Sequence, residues 1–182
     1  MSYVCDDLRK DHDLILSALE ILERIVESID RNEAVEMGDL KELVGFFRLF
    51  ADKCHHGKEE GLLFSKMEKA GIPKENGPLE QMLIEHAEAR KYLRRMEESI
   101  GMIIQAEQFD KASVSYIRLM RRHIDKENQI LFPLGDQRIP MEKQEKLQRQ
   151  FKDFQESVIG SETLDRYHKL LDRLNPHDSQ HS

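Results

Sequence analysis

The sequence predicts an all-α protein, in which an up-down-up-down four-helix bundle is followed by two further helices. Glu, Lys, Arg and Leu dominate the 182 residues, of which 35% are charged and 39% hydrophobic, and this composition is typical of helical proteins. Apolar residues recur at alternating steps of four and three positions, as on the buried side of a bundle helix. A segment that pairs a histidine with a glutamate four residues later occurs twice. These observations indicate a bundle built from two similar halves.

Four periodic stretches define the predicted bundle, and turn residues separate them. Gly71 and Pro73 mark the end of the second helix, and Pro78 suits the first position of the third helix. The apolar periodicity includes His12 in the first helix and His86 at the equivalent place in the third. The predicted helices cover about residues 6–30, 39–70, 78–103 and 110–134.

The pattern beyond Pro140 is helical again, with a break at Gly160. We predict two helices there, over residues 141–158 and 161–174, that pack outside the bundle. The prediction divides the chain into three parts, which are a bundle over residues 1–135, a helical extension over 136–175 and a flexible tail over 176–182.

Charge and apolar runs argue against several classes of partner. The net charge is −7 and no basic block occurs, so neither nucleic acid nor an anionic membrane is an expected partner. Apolar runs are only a few residues long, far short of a membrane span. The first residues lack the charged and apolar regions of a secretory signal, which predicts a cytoplasmic protein. Cys5 and Cys54 are isolated thiols rather than a disulfide framework.

The duplicated segment places an imidazole and a carboxylate on one face of a helix. His55 precedes Glu59 by four residues, His123 precedes Glu127 by four, and a Leu-Phe pair ends both copies. Residues four apart lie one above the other on a helix. Each copy therefore presents a pair of metal-ligand types next to an apolar patch.

The first copy holds two adjacent histidines and two adjacent glutamates, so its register must be chosen. Aligning the Leu-Phe pairs of the two copies selects His55 over His56 and Glu59 over Glu60. We therefore expect Glu60 to be solvated.

The histidines of the four helices are predicted to lie at one height. In an up-down bundle, residues equally far from a connecting turn lie level, and the midpoints of successive histidines fall in or near the predicted turns. A lone histidine on an apolar face is more often a hydrogen-bonded core residue than a ligand. Four at one level, two of them paired with glutamates, predict a metal site because their burial without a metal would be costly.

The composition of this donor set favours two metal ions. Imidazole and carboxylate ligands suit Fe, Zn, Mn or Cu, and their number exceeds what one tetrahedral zinc takes. Two ions would each take two histidines, with both glutamates bridging. The predicted ligands are His12, His55, Glu59, His86, His123 and Glu127.

Over about residues 6–135 the chain resembles the hemerythrin-like family of HHE cation-binding domains. The resemblance rests on His12, on the duplicated His-x-x-x-Glu segments, on Glu85-His86 and on the run Ile130-Leu131-Phe132-Pro133. It implies a four-helix bundle that holds two non-haem iron ions with an oxo or hydroxo bridge. Carrier members of the family bind O2 at such a centre, and others are linked to oxidant or nitric-oxide response, iron sensing or iron-centre repair.

The chain departs from the oxygen carriers of that family at two points. Arg90 stands where the third helix of a carrier has a second histidine, and Glu127 follows His123 by four residues where a carrier has aspartate five residues on. Both departures favour a sensor or redox role over oxygen storage. His56 would restore a fifth imidazole.

We expect the domain to sense or react with O2, nitric oxide or peroxide at the di-iron centre. The alternatives are a di-iron enzyme and an iron-handling or repair module that acts through a protein partner bound by the C-terminal helices. Zinc or manganese in place of iron remains open, because their preferred ligands overlap.

Overall fold

The computed structural model of the chain describes residues 3–101 and 103–175. Within these ranges no β-strand occurs, and the all-α class is confirmed. The tail predicted over residues 176–182 lies outside the described part. The described residues form six helices: α1 (Asp6–Asp30), α2 (residues 37–69), α3 (Pro78–Ser99), α4 (residues 106–138), α5 (Met141–Val158) and α6 (Gly160–Leu174).

Helices α2 and α4 change from α-helical to π-helical geometry where the duplicated segments lie. The π-helical stretches are Phe47–His56 and Glu59–Leu63 in α2, and Glu127–Leu131 in α4. A π-helix bonds residue i to i+5, so its turns are wider and successive side chains diverge less than in an α-helix. Such turns are frequent at functional sites. The π-helical turns thus include His55 and Glu59 in α2, and Glu127 but not His123 in α4.

The predicted helix ends agree within two residues, except at the end of α3, which is Ser99 rather than residue 103, and on α4. This helix begins at Ala106 rather than near residue 110, and it continues through Pro133 to Arg138. Pro133 stands in the first turn of the α-helical stretch that follows the π-helical one.

Helix packing brings all four bundle helices around a common interior. Helix α4 packs along both α1 and α3, and the π-helical part of α2 contacts α1 and α3. The up-down-up-down order stays a prediction. The N-terminal ends of α1 and α3 and the C-terminal ends of α2 and α4 contribute to one hydrophobic cluster, and the opposite parts contribute to a larger one.

A polar layer separates the two hydrophobic clusters. On α1, Leu8 belongs to the smaller cluster and Ile15 to the larger, with His12 between them. On α4, Ile124 belongs to the larger cluster and Leu131 to the smaller. The duplicated segments of α2 and α4 cross this boundary. The candidate ligands therefore lie at one level of the bundle interior.

The two C-terminal helices pack on the bundle from outside. Helix α5 lies against both π-helical stretches of α2, and α6 contacts α1, α2 and α5. A Cβ atom on Gly57 would lie 2.9 Å from Cζ of Phe154, so glycine permits the close approach of α5 to α2. Among the described residues, no helix is both long and apolar enough to cross a membrane.

Candidate metal centre

The structure brings every predicted ligand into the polar layer, together with His56. Their relative exposures lie between 0% and 1%. Within each of two groups, the ligand atoms lie within 4.8 Å of one another. Glu59 belongs to both groups. One group consists of His12, His55, Glu59 and Glu127, and the other of His56, Glu59, His86 and His123.

The two glutamates lie between the two sets of histidines. Glu59 places Oε1 3.4 Å from Nε2 of His55 and Oε2 3.3 Å from Nε2 of His86. Oε2 of Glu127 lies 3.1 Å from Nε2 of His12 and 3.2 Å from Nε2 of His123. Each carboxylate thus faces one histidine of each set, and this is the arrangement that bridging ligands require.

Outer hydrogen bonds fix the orientation of four rings. Each ring directs Nδ1 outward to a side-chain oxygen, so in the neutral tautomer the lone pair of Nε2 points inward. The partners come from neighbouring helices. The pairs are His12 with Asn128 (2.8 Å), His55 with Asp11 (3.1 Å), His86 with Glu60 (2.7 Å) and His123 with Glu85 (3.0 Å).

The inward-facing nitrogen and oxygen atoms are better placed to bind a metal ion than to form hydrogen bonds with one another. Nε2 of His86 lies 3.1 Å from Nε2 of His123, although both rings use Nδ1 to donate outward, so two lone pairs face each other in the neutral tautomers. Nε2 of His12 and of His55 and both oxygens of each glutamate are buried without a hydrogen bond. Such burial is costly. Cations placed among these atoms would satisfy them.

A family comparison agrees with this donor set. The model of the hemerythrin HHE cation binding domain matches residues 4–135. The chain belongs to this family. No curated protein and no solved structure matches the chain. The family binds cations, and the buried histidines and glutamates of this hemerythrin domain form a cluster that is compatible with metal binding.

Burial and carboxylates oppose each other in setting the charge of the histidines of the hemerythrin domain. Burial favours the neutral ring of His123, but Glu127 and Glu85 outweigh it and raise the pKa to about 10. The pKa values of His12 and His86 are also raised, because adjacent carboxylates outweigh burial there too. A metal ion that binds these rings must therefore displace protons.

His56 joins the group although the alignment of the duplicated segments passes over it. Its ring stacks on that of His86 with 3.9 Å between centroids, and neither ring nitrogen has a hydrogen bond. Burial and the neighbouring histidines hold the pKa of His56 well below its usual value. The ring is therefore neutral and has a lone pair to offer. The wide π-helical turn brings it toward the side on which His55 lies.

The expectation that Glu60 is solvated is wrong. Its half-buried carboxylate accepts hydrogen bonds from Nδ1 of His86 and from the guanidinium of Arg90, both at 2.7 Å. Burial opposes its ionisation, but these two partners outweigh it and lower the pKa. Arg90 also donates to Asp52 at 2.6 Å. Arg90 thus holds the carboxylate that orients His86.

The outer partners repeat between the halves of the hemerythrin domain. Asp11 and Glu85 directly precede the histidines of α1 and α3, yet each orients the histidine of the following helix. Lys58 and Lys126, each directly before a candidate bridging glutamate, donate to these same carboxylates. Asn128 corresponds to Glu60. These outer partners could have been found in the sequence, because they lie at the same number of residues from the candidate ligands in both halves.

Proposed function

We propose that the polar layer binds two iron ions with an oxo or hydroxo bridge. His12 and His55 would hold one ion, His86 and His123 with His56 would hold the other, and Glu59 and Glu127 would bridge. The observation that carries the proposal is the set of buried nitrogen and oxygen atoms that face each other without hydrogen bonds. Their carboxylates supply negative charge that two cations would neutralise.

Iron suits this donor set, which offers imidazole and carboxylate but no thiolate. Cys54 adjoins His55, but it belongs to neither ligand group. Burial raises the pKa of its thiol to about 11, so the thiol stays protonated at neutral pH. Zinc held by four ligands would leave part of the donor set unused.

For the function, we infer sensing of, or reaction with, O2, nitric oxide or peroxide. Iron ions held in this way would supply binding and redox chemistry toward a small ligand. The chain's own residues exclude bulk water, because the candidate ligands are fully buried, and orient the imidazoles through the outer hydrogen bonds. The spacing of His123 and Glu127 favours this role over oxygen storage.

Metal analysis combined with optical spectra tests the proposal. Protein loaded anaerobically with Fe(II) and then oxidised should hold about two irons per chain and show a near-ultraviolet charge-transfer band. Fully loaded protein with one ion per chain would contradict the two-ion centre. Nitric oxide, O2 and peroxide are then added separately. A sensor gives a spectral change at stoichiometric ligand without sustained consumption of that ligand.

A di-iron enzyme is the alternative that the same experiment distinguishes. Sustained consumption of peroxide or nitric oxide by the loaded chain would favour it. Glu59→Ala removes the carboxylate shared by both ligand groups, so it should abolish any turnover that depends on the centre. Turnover that persists in this variant would have another origin.

Iron handling with a protein partner is favoured by one observation. Helices α5 and α6 lie beyond the part of the chain that the family model matches, and they cover the helix that carries His55. Transfer of iron from the loaded chain to a metal-free iron–sulfur protein, faster than release to a small chelator, would support this function. Equal rates would count against it.

A further inference from the structure

Helix α5 reaches the metal centre through a buried lysine. Lys58 is only 2% exposed, which is unusual for lysine. Its ammonium group donates to Oδ2 of Asp11 at 2.7 Å and to Oε1 of Gln155, on α5, at 2.9 Å. A buried ammonium group is tolerated only when it is paired and hydrogen-bonded. Gln155 thus supplies part of what keeps Lys58 in place.

The same aspartate oxygen holds His55. Oδ2 of Asp11 accepts from Nδ1 of His55 at 3.1 Å as well as from Lys58. A carboxylate shared in this way fixes the tautomer and direction of the imidazole. The contacts therefore run without interruption from Gln155 through Lys58 and Asp11 to the ring whose Nε2 faces Glu59.

Two other contacts hold α5 against the segment of α2 that contains Lys58 and against the N-terminal segment. Phe154, beside Gln155, packs directly on Gly57, beside Lys58. Farther along α5, the buried side chain of Gln144 accepts from the backbone N–H of Val4 at 3.0 Å. The position of Gln155 is thus set by packing at Gly57 and by this attachment to the N-terminal segment.

The corresponding lysine on the other half lacks this cover. Lys126 donates to Glu85, which accepts from His123, but the side chain of Lys126 is 38% exposed. Gln81, on α3 itself, also donates to Glu85 at 2.7 Å. An exposed lysine exchanges readily between its partner and water, so it holds the carboxylate less firmly.

We propose that Lys58 and Gln155 are positioning residues through which the C-terminal helix α5 fixes His55 as a metal ligand. The extension then governs how long the His12–His55 position retains its ion, and the His86–His123 position does not depend on it. The inference rests on the proposed two-ion centre and adds a role for residues outside the matched family domain.

Metal release from the full-length chain tests this coupling. Co(II) is loaded anaerobically into wild type, and its loss to excess chelator is followed by d–d absorption. Two ions in different surroundings should leave in two phases. Lys58→Met should accelerate one phase about tenfold, as expected when an outer partner of a ligand is lost, and leave the other unchanged. Lys126→Met is the matched control and should act on the other phase only.

Two further variants separate positioning from folding. Gln155→Ala removes a half-buried amide from a helix without lowering helix propensity, so the fold should persist. We expect it to accelerate the same phase as Lys58→Met, by roughly threefold. Lys58→Arg should restore much of the slow release. In Zn(II)-loaded protein, ¹⁵N NMR should show His55 protonated at Nδ1 in wild type and a mixture of states in Lys58→Met.

The outcomes keep the two proposals apart. Wild type that retains two Co(II) ions, with Lys58→Met and Gln155→Ala releasing them as wild type does, would overturn the coupling alone. Equal acceleration of both phases would also overturn it, because this would indicate general loosening of the bundle. Wild type that retains no metal would overturn the two-ion centre and the coupling with it.

Discussion

The α1–α2 half and the α3–α4 half of the domain orient their histidines by the same arrangement of hydrogen bonds, but with different residues. In both, an acidic residue before the histidine of one helix orients the histidine of the next, and a lysine supports that acid. Two of the differences between the halves lie beside the candidate ligands: His56 corresponds to Ile124, and Glu60 to Asn128. The two similar halves thus supply matched candidate ligands, and a few differences in sequence would make the two proposed metal positions unlike.

The largest expected effect comes from the carboxylate shared by both positions. Glu59→Ala should reduce the iron content from about two ions per chain to well below one, because both groups lose a ligand. Glu127→Ala should act chiefly on the His12–His55 position, which has fewer imidazoles. Elemental analysis of both reconstituted variants checks this. Equal losses in the two variants would mean that both positions depend on Glu127 as strongly as on Glu59.

Replacing His56 by the residue at the equivalent position of the other half should weaken metal binding nearly as much as the loss of Glu59. His56→Ile introduces the residue found at position 124 and should weaken metal affinity about tenfold to a hundredfold at the His86–His123 position. Without metal, the variant should gain roughly 1 kcal/mol in unfolding free energy, because a buried ring without hydrogen bonds is removed. Chelator competition and denaturant unfolding measure the two effects. Ile124→Val is the control. An unchanged metal affinity in His56→Ile would exclude His56 as a ligand.

Metal binding should depend on pH, because protons must leave the histidines before they can act as ligands. The folded-state pKa of His123 is raised from 6.5 to about 10, so its protonation stabilises the metal-free fold fully below about pH 6.5, and this stabilisation is lost as pH rises through about 10. Metal must displace that proton, and affinity should therefore rise about tenfold per pH unit between roughly pH 7 and 10. Titration calorimetry in buffers of different ionisation enthalpy should detect proton release. Binding without proton release would contradict the raised pKa.

The smallest expected effect concerns the residue after each glutamate. Glu60→Asn copies the other half and replaces the charged partner of His86 with a neutral one. Metal release from the His86–His123 position should quicken by only a few-fold, since an amide oxygen still accepts from the ring. The Co(II) release assay measures this change. A larger effect than that of His56→Ile would mean that Glu60 does more than orient the ring.

The helical class and the level of His12 and His86 were predictable, because apolar periodicity marks the buried face of a helix whatever it packs against. The sequence left the place of His56 open, since successive residues of a regular α-helix diverge by about 100° and no pattern announced the π-helical turn. Glu60 was misjudged because its partners lie on α3. Lys58 depends on α5, some hundred residues away, and such contacts leave no trace in local spacing.

Other expectations remain predictions. They include the division of the chain at residues 135 and 175, the up-down order of the bundle, the cytoplasmic location, and the absence of nucleic-acid and membrane partners.

The polar layer between the two hydrophobic clusters has a consequence for cooperative unfolding. Without bound ions, buried polar groups that lack full hydrogen bonding lie between the clusters, so we expect each cluster to open without the other. Ions ligated from all four helices would tie the clusters into one cooperative unit. In the metal-free chain, amide hydrogen exchange should then give two groups of amides with different protection factors, one for each cluster. After metal loading, the amides of both clusters should exchange with a single opening free energy.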